Sequence, residues 1–264
     1  FVPANAYLVI VGDVNFKEVK KEVERLFGTW KKATAPQLTY SNPKDVQYSQ
    51  INFIDTPNAV QSEIALVNLS NLKMTDKEYF SVLLANQILG GGGEGRLFLN
   101  LREKHGWTYG AYSSIGAGKY INKFRSNASV RNTVTDSAVV EFFNELKRIK
   151  TELVSEEDLR NAKAKYVGNF VMQIEKPSTI AGYALNKETQ GLPEDFYENY
   201  IKNINAVTAE DIKNAANKYF LSDKTRVVIV GKAADVLPGL ETMSKREKLP
   251  IFYFDKYGNP TEKP

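Results

Sequence analysis

The sequence contains no cysteine and a single histidine among its 264 residues. Without cysteine there can be no disulfide and no thiolate metal site, and the cellular compartment stays open. One histidine cannot form a histidine-rich metal centre within one copy of the chain. Ser-His-Asp and Cys-His catalysis also lack a signature, because no GxSxG turn and no cysteine is present. The chain alone is therefore predicted to bind no metal ion or other cofactor and to carry no catalytic triad.

Long apolar runs and blocks of like charge are also missing. No run approaches the ~18 to 20 residues of a membrane-spanning helix, and no signal-peptide pattern opens the chain. The net charge of +4 is spread over mixtures of lysine and glutamate, so neither a membrane span nor a nucleic-acid partner is predicted. The sequence begins at Phe1 in the middle of a motif, and we expect it to be a piece of a longer protein. Its 42% hydrophobic and 25% charged content is typical of a globular protein.

The pattern of apolar and polar residues changes twice within the first fifty residues. Residues 6–12, AYLVIVG, form an apolar run rich in β-branched side chains and predict a buried strand. A helix is predicted next, opened by Asn15 as N-cap and ended by Gly28. The following stretch to Gln50 is polar, aperiodic and interrupted by proline, which is typical of an interdomain linker.

The remainder of the chain alternates strand-like and helix-like patterns. Thr75, Ser155 and Thr208 are predicted N-caps, each followed three residues later by an acidic residue. The predicted strands are 51–54, 60–69, 107–115, 122–130 and 226–231, the first two joined through residues 56–58. The predicted helices are 75–89, 134–153, 155 to about 175, 180–189, 196–204 and 208–220. Residues 236–264, charged and interrupted by proline, are expected to lie over the surface.

One phrase occurs twice. LVIVGDV at residues 8–14 and VVIVGKA at 227–233 have the character of closing strands of two consecutive homologous domains. The predicted division is a closing strand and helix of a preceding domain at 1–30, a linker at 31–50, a domain at 51–235 and a C-terminal extension at 236–264.

Four consecutive glycines, Gly90 to Gly93, follow the helix predicted to end at Leu89. A formal GxGxxG runs through Gly90, Gly92 and Gly95, but it follows a helix rather than a strand and lacks the βαβ setting of a dinucleotide site. A Walker motif is excluded too, because Arg96 stands where lysine is required. The predicted structure is a flexible turn between two helices.

Arg102 is predicted near the end of a short helix and Tyr109, seven residues later, at the start of a strand. A guanidinium and a neutral phenol that converge across a turn suit a peptide carbonyl or an oxyanion. The alternative is purely structural, since an arginine favours a helix C-terminus and a tyrosine favours a strand. His105 is predicted to be an exposed helix-end residue and not a metal ligand.

The phrase GEGRLFLNLREKHGWTYGAYSS at residues 93–114 resembles SSRLFxxLREKxGLAYxxxS of the pitrilysin-like metallopeptidases, the family of mitochondrial processing peptidase and insulin-degrading enzyme. Residues 3–14 and the SEEDL phrase at 155–159 resemble the same family. In that family an active unit joins two homologous domains, of which the first holds zinc on His-Xaa-Xaa-Glu-His. The second lacks zinc and contributes an arginine and a tyrosine, to which Arg102 and Tyr109 correspond.

The resemblance implies an α+β fold with a mostly antiparallel sheet and helices packed on one face. It implies that the chain is the metal-free half of a zinc peptidase, with a zinc-carrying homologous domain as partner, expected on the same polypeptide, and a peptide as substrate. Tyr109 would then donate to the scissile carbonyl, Arg102 would bind a neighbouring substrate group, and Gly91 and Gly92 would line the substrate cleft. The alternative is a structural or peptide-binding subunit of the same fold with no peptidase role.

Overall fold

The computed structural model describes residues 2–264, and a six-stranded sheet organises them in the order β3-β4-β2-β5-β1-β6. Antiparallel pairing joins β3 to β4, β4 to β2 and β2 to β5, while β1 runs parallel to both β5 and β6. The sheet is therefore mostly antiparallel, as predicted. The strands are β1 (Gln50–Asp55), β2 (Gln61–Ser70), β3 (Thr108–Ile115), β4 (Asn122–Arg131), β5 (Arg226–Gly231) and β6 (Ile251–Phe254).

Helices cover one face of this sheet, and the strand patterns show why. In β2 the buried side chains alternate with more exposed ones, which is the period expected when one face packs on a core. The helices α2 and α4 bury most of their apolar side chains against that face. The helices are α1 (Phe16–Phe27), α2 (Tyr79–Gly90), α3 (Arg96–Phe98), α4 (Thr135–Thr151), α5 (Glu156–Ile174), α6 (Pro177–Gln190), α7 (Tyr200–Ala206), α8 (Ala209–Tyr219) and α9 (Ala233–Glu247).

Three predicted helix starts are confirmed by their caps. The Asn15 side chain accepts hydrogen bonds from the backbone of Lys17 and Glu18, and Ser155 accepts one from the backbone of Asp158. At α8 the side chains of Thr208 and Asp211 each accept from the other's backbone, which is a complete capping box. None of the helices in residues 2–264 is both long and apolar enough to cross a membrane.

The prediction of a strand at residues 6–12 is wrong. The segment is irregular, and its apolar side chains, among them Leu8, Ile10 and Val11, are exposed. A strand needs a hydrogen-bonded neighbour, and no strand within residues 2–264 pairs with this one. The helix that follows it, α1, forms as predicted but buries none of its residues.

The strand order adds a feature that the sequence did not predict, and the prediction for residues 236–264 needs correction. The strands β1 and β2 follow one another in sequence but are not neighbours, because β5 lies between them and pairs with both. Residues 236–264 do not merely lie over the surface. They complete α9, which buries four apolar side chains, and they supply β6 at the sheet edge beside β1. Pro238 lies inside α9, so the proline that suggested an irregular segment is tolerated by the helix.

Two helices begin later than predicted. Thr75 does not cap α2, which starts at Tyr79, because the side chain of Asp76 accepts the backbone N–H of Lys73 at 2.8 Å and holds this stretch in a turn. Likewise α7 starts at Tyr200 rather than Phe196, whose backbone N–H bonds Pro193 O in a turn. The helix predicted at 180–189 instead begins at Pro177, which fits the first turn of a helix without loss of a hydrogen bond.

Candidate functional site

The glycine-rich loop between α2 and α3 is pressed against strand β3. A Cβ on Gly90 would lie 2.5 Å from the backbone nitrogen of Ser113, and a Cβ on Gly95 would lie 2.8 Å from the Cα of Gly90. Either contact is too short for a side chain, so these two glycines are required by close approach of the backbone. The loop therefore joins two helices as predicted, and it also fixes the distance between α2 and β3.

The two glycines predicted to line a substrate cleft, Gly91 and Gly92, are partly buried, whereas the next two residues of the loop are exposed. Gly92 has φ of +146°, a conformation that side chains disfavour. The carbonyl of Gly91 accepts hydrogen bonds from Gln87 Nε2 at 3.1 Å and from Lys165 Nζ on α5 at 3.4 Å. These two contacts hold the loop between its own helix and α5.

Arg102 lies on a widened helical turn. Residues Leu99–Lys104 continue α3 as a π-helix, in which the backbone N–H of His105 bonds Asn100 O at 3.1 Å. Such turns are rare and occur frequently at functional sites. The turn ends at Gly106, whose φ of +62° lets the chain reverse toward β3. Sequence periodicity alone gave no sign of the widening.

The Arg102 side chain is about half exposed, at 46% of its surface. Its guanidinium lies over the ring of Phe98, 4.8 Å from the centroid, and its Nε is 3.5 Å from the Glu103 carboxylate. An exposed ion pair of that length contributes little, so the ring of Phe98 is the better defined support. The remaining guanidinium donors make no other ion pair within residues 2–264.

Tyr109 projects from an irregularity in β3. Between Thr108 and Ala111, strand β3 advances three residues while β4 advances two, so one residue is bulged out. Bulges re-aim side chains at strand edges. Tyr109 is 87% exposed, and no residue in 2–264 hydrogen-bonds its hydroxyl.

Phe98 connects the predicted site residues to one another. Its ring lies under Arg102, contacts Tyr112 at 6.0 Å between ring centroids, and would touch a Cβ on Gly93 at 3.7 Å. Tyr112 and Tyr109 are both exposed, while the intervening Ala111 is buried, so the bulge places both tyrosines on the outer face. The glycine-rich loop, Arg102 and the Tyr109 strand thus meet around one phenylalanine.

His105 lies at the helix end as predicted, but it is partly buried rather than exposed. Its ring stacks on Trp107 with 4.0 Å between centroids, and its Nε2 is buried without a hydrogen-bond partner in the described residues. The reversal at Gly106 explains this, because it folds the tryptophan back onto the histidine. No group of three or more His, Cys, Asp or Glu in residues 2–264 could hold a metal ion, so these residues offer no zinc site.

Arg96 is a buried charge that sequence reasoning missed. Its side chain is only 8% exposed, although an arginine after a glycine loop ordinarily lies in solvent. It lines a cleft of about 360 Å³ between the glycine-rich loop and α5, together with Glu94, Asp158 and Lys165. The one available signal was its place between Gly95 and the apolar Leu97.

Comparison with known proteins agrees with this architecture. The family model for the peptidase M16 inactive domain matches residues 1–166. The chain is 26% identical over 211 residues to YmfF of Bacillus subtilis, named a probable inactive metalloprotease, a match that covers 80% of this chain and 48% of YmfF. It is 30% identical over 240 residues to an uncharacterized zinc protease of Rickettsia felis, which covers 85% of this chain and 53% of that protein.

A solved structure shows the same fold. The crystal structure of a peptidase M16 inactive domain from Pseudomonas fluorescens superposes with a TM-score of 0.74 at 25% identity, covering 84% of this chain and 52% of that one. The chain spans about half the length of the curated relatives it matches. The resemblance carried by residues 93–114 is thereby confirmed at the level of the family. The chain belongs to the peptidase M16 family, as a non-catalytic domain of the inactive type.

Proposed function

We propose that this chain is the metal-free half of a two-domain zinc peptidase and that it binds a peptide against the zinc-carrying half. A relative named a zinc protease, of which this chain covers about half, supports this. The observation that carries the proposal is the free phenol of Tyr109, exposed by a bulge in the strand whose Tyr112 packs on Phe98, the ring that lies under Arg102. A core-building tyrosine would be packed or hydrogen-bonded instead.

Tyr109 is the donor to the reacting bond. As the scissile carbonyl becomes a tetrahedral oxyanion, the neutral O–H of Tyr109 donates a hydrogen bond to it. A donor that is already in position lowers the activation barrier more than a mobile one, because it does not have to reorganise as charge develops. The bulge between Thr108 and Ala111, next to an exposed Tyr109, supports this role.

Arg102 holds a neighbouring carbonyl or carboxylate of the same peptide and so sets its register. Its guanidinium is supported from below by Phe98, which leaves the donors at its edge free for a ligand. Because this contact lies away from the reacting bond, it acts about equally on the ground state and the transition state. Gly91 and Gly92 form the wall of the cleft, where the lack of side chains lets a peptide backbone come close.

The zinc half is proposed to precede this domain on the same polypeptide. The repeated motif at residues 8–14 and 227–233 supports this order, since the second copy is a central strand here and no strand within residues 2–264 pairs with the first. The exposed apolar side chains of residues 6–12 and of α1 would pair and pack with that preceding domain.

The pair is tested in the complete two-domain enzyme. Tyr109→Phe removes one O–H and keeps the ring, so kcat should fall by roughly tenfold to a thousandfold with no change in melting temperature. Arg102→Ala should raise KM more than it lowers kcat, because the lost contact stabilises the bound substrate and the transition state about equally. Steady-state kinetics and thermal unfolding of both variants give the readout.

Matched controls come from the same chain. Tyr257→Phe removes another exposed hydroxyl, after β6 at the opposite edge of the sheet, and Arg226→Ala removes an exposed guanidinium at the start of β5. Neither control should change turnover. Full turnover in Tyr109→Phe would remove that residue from the active site.

A second candidate is a structural or peptide-binding subunit with no peptidase role. The relative named an inactive metalloprotease favours it. In that case the zinc half of the full protein would lack hydrolytic activity, and the two variants would change only the melting temperature or peptide binding. The kinetic comparison above therefore decides between the two candidates.

A further inference from the structure

The cleft beside the glycine-rich loop contains a buried arginine whose hydrogen bonds are incomplete. Arg96 Nη2 lies 3.4 Å from Asp158 Oδ2, a long contact, and Asp158 itself is 43% exposed. Arg96 Nε and Nη1 are buried and have no partner within residues 2–264. Burying a guanidinium with unpaired donors is costly, so an acceptor is expected at this place.

A second cation faces the same cleft from α5. Lys165 lies seven residues after Asp158, which places both on one face of the helix about two turns apart. Its Nζ reaches the loop, where it is 3.4 Å from Gly91 O and would lie 2.9 Å from a Cβ on Gly92. A side chain at position 92 would therefore displace this ammonium group.

The remaining lining decides the kind of anion that fits. Arg148 is already engaged, 3.2 Å from Glu152 and 3.8 Å from Glu145. Glu94, Glu157 and Asp158 also line the cleft, so its walls carry both signs of charge. A dianion such as phosphate would be repelled by those carboxylates, whereas a single carboxylate is matched by Arg96 and Lys165. Ile88, Leu99 and Ala162 add apolar surface, which suits a ligand with a carbon chain.

We propose that the cleft between the glycine-rich loop and α5 binds a carboxylate of a peptide, with Arg96 and Lys165 as its two cationic partners. Arg96 donates from its guanidinium, and Lys165 donates from Nζ. The carboxylate is either the C-terminus of a peptide or the side chain of an acidic residue. That the ligand is a peptide depends on the proposed function, whereas the anion site depends only on Arg96 and its surroundings.

Amide chemical shifts of the chain, titrated with four probes, test the site. N-acetyl-dialanine as the free acid offers a terminal carboxylate, its C-terminal amide offers none, and N-acetyl-aspartate amide offers a side-chain carboxylate. The fourth probe is inorganic phosphate. Saturable shifts at Gly91–Gly95 and at residues 158–165 are expected with the first or the third probe and not with the amide. Which acid binds more tightly identifies the source of the carboxylate.

Three variants locate the binding. Arg96→Lys keeps the charge but loses the buried Nε and Nη donors, so the dissociation constant of the bound acid should rise about tenfold or more. Lys165→Met acts at the partly exposed end of the site and should raise it several-fold, which keeps a test available if Arg96→Lys does not fold. Arg160→Met on α5 is the control, since Arg160 is exposed and does not line this cleft.

Equal binding of acid and amide would overturn the proposal, as would tighter binding of phosphate than of either acid. Dissociation constants unchanged in both Arg96→Lys and Lys165→Met would also overturn it. The proposed peptidase role fails separately. Carboxylate binding at Arg96 together with full turnover in Tyr109→Phe rejects only that role, and the absence of binding together with impaired turnover in Tyr109→Phe rejects only the carboxylate site.

Discussion

The same five-residue pattern has two different structures in this chain. Residues 8–12 read LVIVG and residues 227–231 read VVIVG. The second copy is most of β5, hydrogen-bonded to β2 on one side and to β1 on the other. The first copy is irregular and exposed. Local propensity is thus nearly the same at both places, and the presence of two neighbouring strands decides which copy becomes a strand.

The burial of matched residues quantifies the difference. Ile229 is 0% exposed, and Ile10, at the same place in the pattern, is 45% exposed. Apolar burial supplies roughly 25 cal/mol per Å², so only the second copy stabilises this domain. The first copy, exposed at Ile10, contributes little to the stability of this domain.

The largest predicted effect is a loss of stability at Ile229 that Ile10 does not share. Ile229→Ala leaves a cavity between the sheet and its helices, so the free energy of unfolding should fall by about 2–5 kcal/mol. Ile10→Ala removes an exposed side chain and should change it by less than about 0.5 kcal/mol. Urea unfolding of both variants is the measurement. Equal losses would mean that residues 8–12 pack on the domain in solution.

The two glycines that end the pattern give the next effect. A Cβ at Gly231 would lie 2.5 Å from Ser62 Oγ, which hydrogen-bonds Asn132 and Thr135 in a buried network, whereas at Gly12 nothing lies within 4 Å. Gly231→Ala should therefore destabilise the fold by about 1–3 kcal/mol, because Ser62 cannot move without breaking its bonds.

Gly12→Ala is the matched control and should be neutral or slightly stabilising, since alanine restricts the unfolded chain. Thermal unfolding of the two variants compares them directly. A destabilised Gly12→Ala would show that residue 12 has a neighbour in solution that this structure lacks.

The sequence predicted the elements whose signals are local. The helix start at Ser155 and the capping box at Thr208 depend on residues within one turn, and both are as predicted. The insertion of β5 between β1 and β2 and the pairing of β6 depend on contacts distant in sequence, which periodicity does not contain. For this reason β1 to β5 were predicted from the sequence, whereas β6 and the order of the strands were not.

The candidate site likewise has features that local sequence predicts and features that depend on distant contacts. The spacing of Arg102 and Tyr109 is visible in one phrase, and that phrase identified the family. The bulge that exposes Tyr109 and the π-helical turn under Arg102 follow from how β3 meets β4 and the preceding helix. The burial of Arg96 depends on α5, some sixty residues later in the chain. The catalytic and binding roles of these residues remain predictions.

The smallest expected effect is that of removing the first copy altogether. Deleting residues 1–35 takes away the unpaired segment and α1, none of whose residues is buried. The contacts that tie the linker to the domain begin later, where the rings of Tyr40 and Tyr120 lie 5.9 Å apart and Asp45 accepts the backbone N–H of Leu69 at 2.9 Å. The shortened chain should therefore unfold cooperatively, with a free energy of unfolding within about 0.5 kcal/mol of the parent.

Hydrogen exchange makes the deletion informative about the missing neighbour. In the parent chain the amides of residues 8–12 should exchange without protection, while those of 227–231 should be protected to the level of global unfolding. In the complete two-domain protein both sets should be protected, because the first copy then has a sheet to join. Loss of cooperative unfolding after the deletion, or protection of residues 8–12 in the parent chain, would show that the first copy packs within this domain. The two copies would then not differ in the way described.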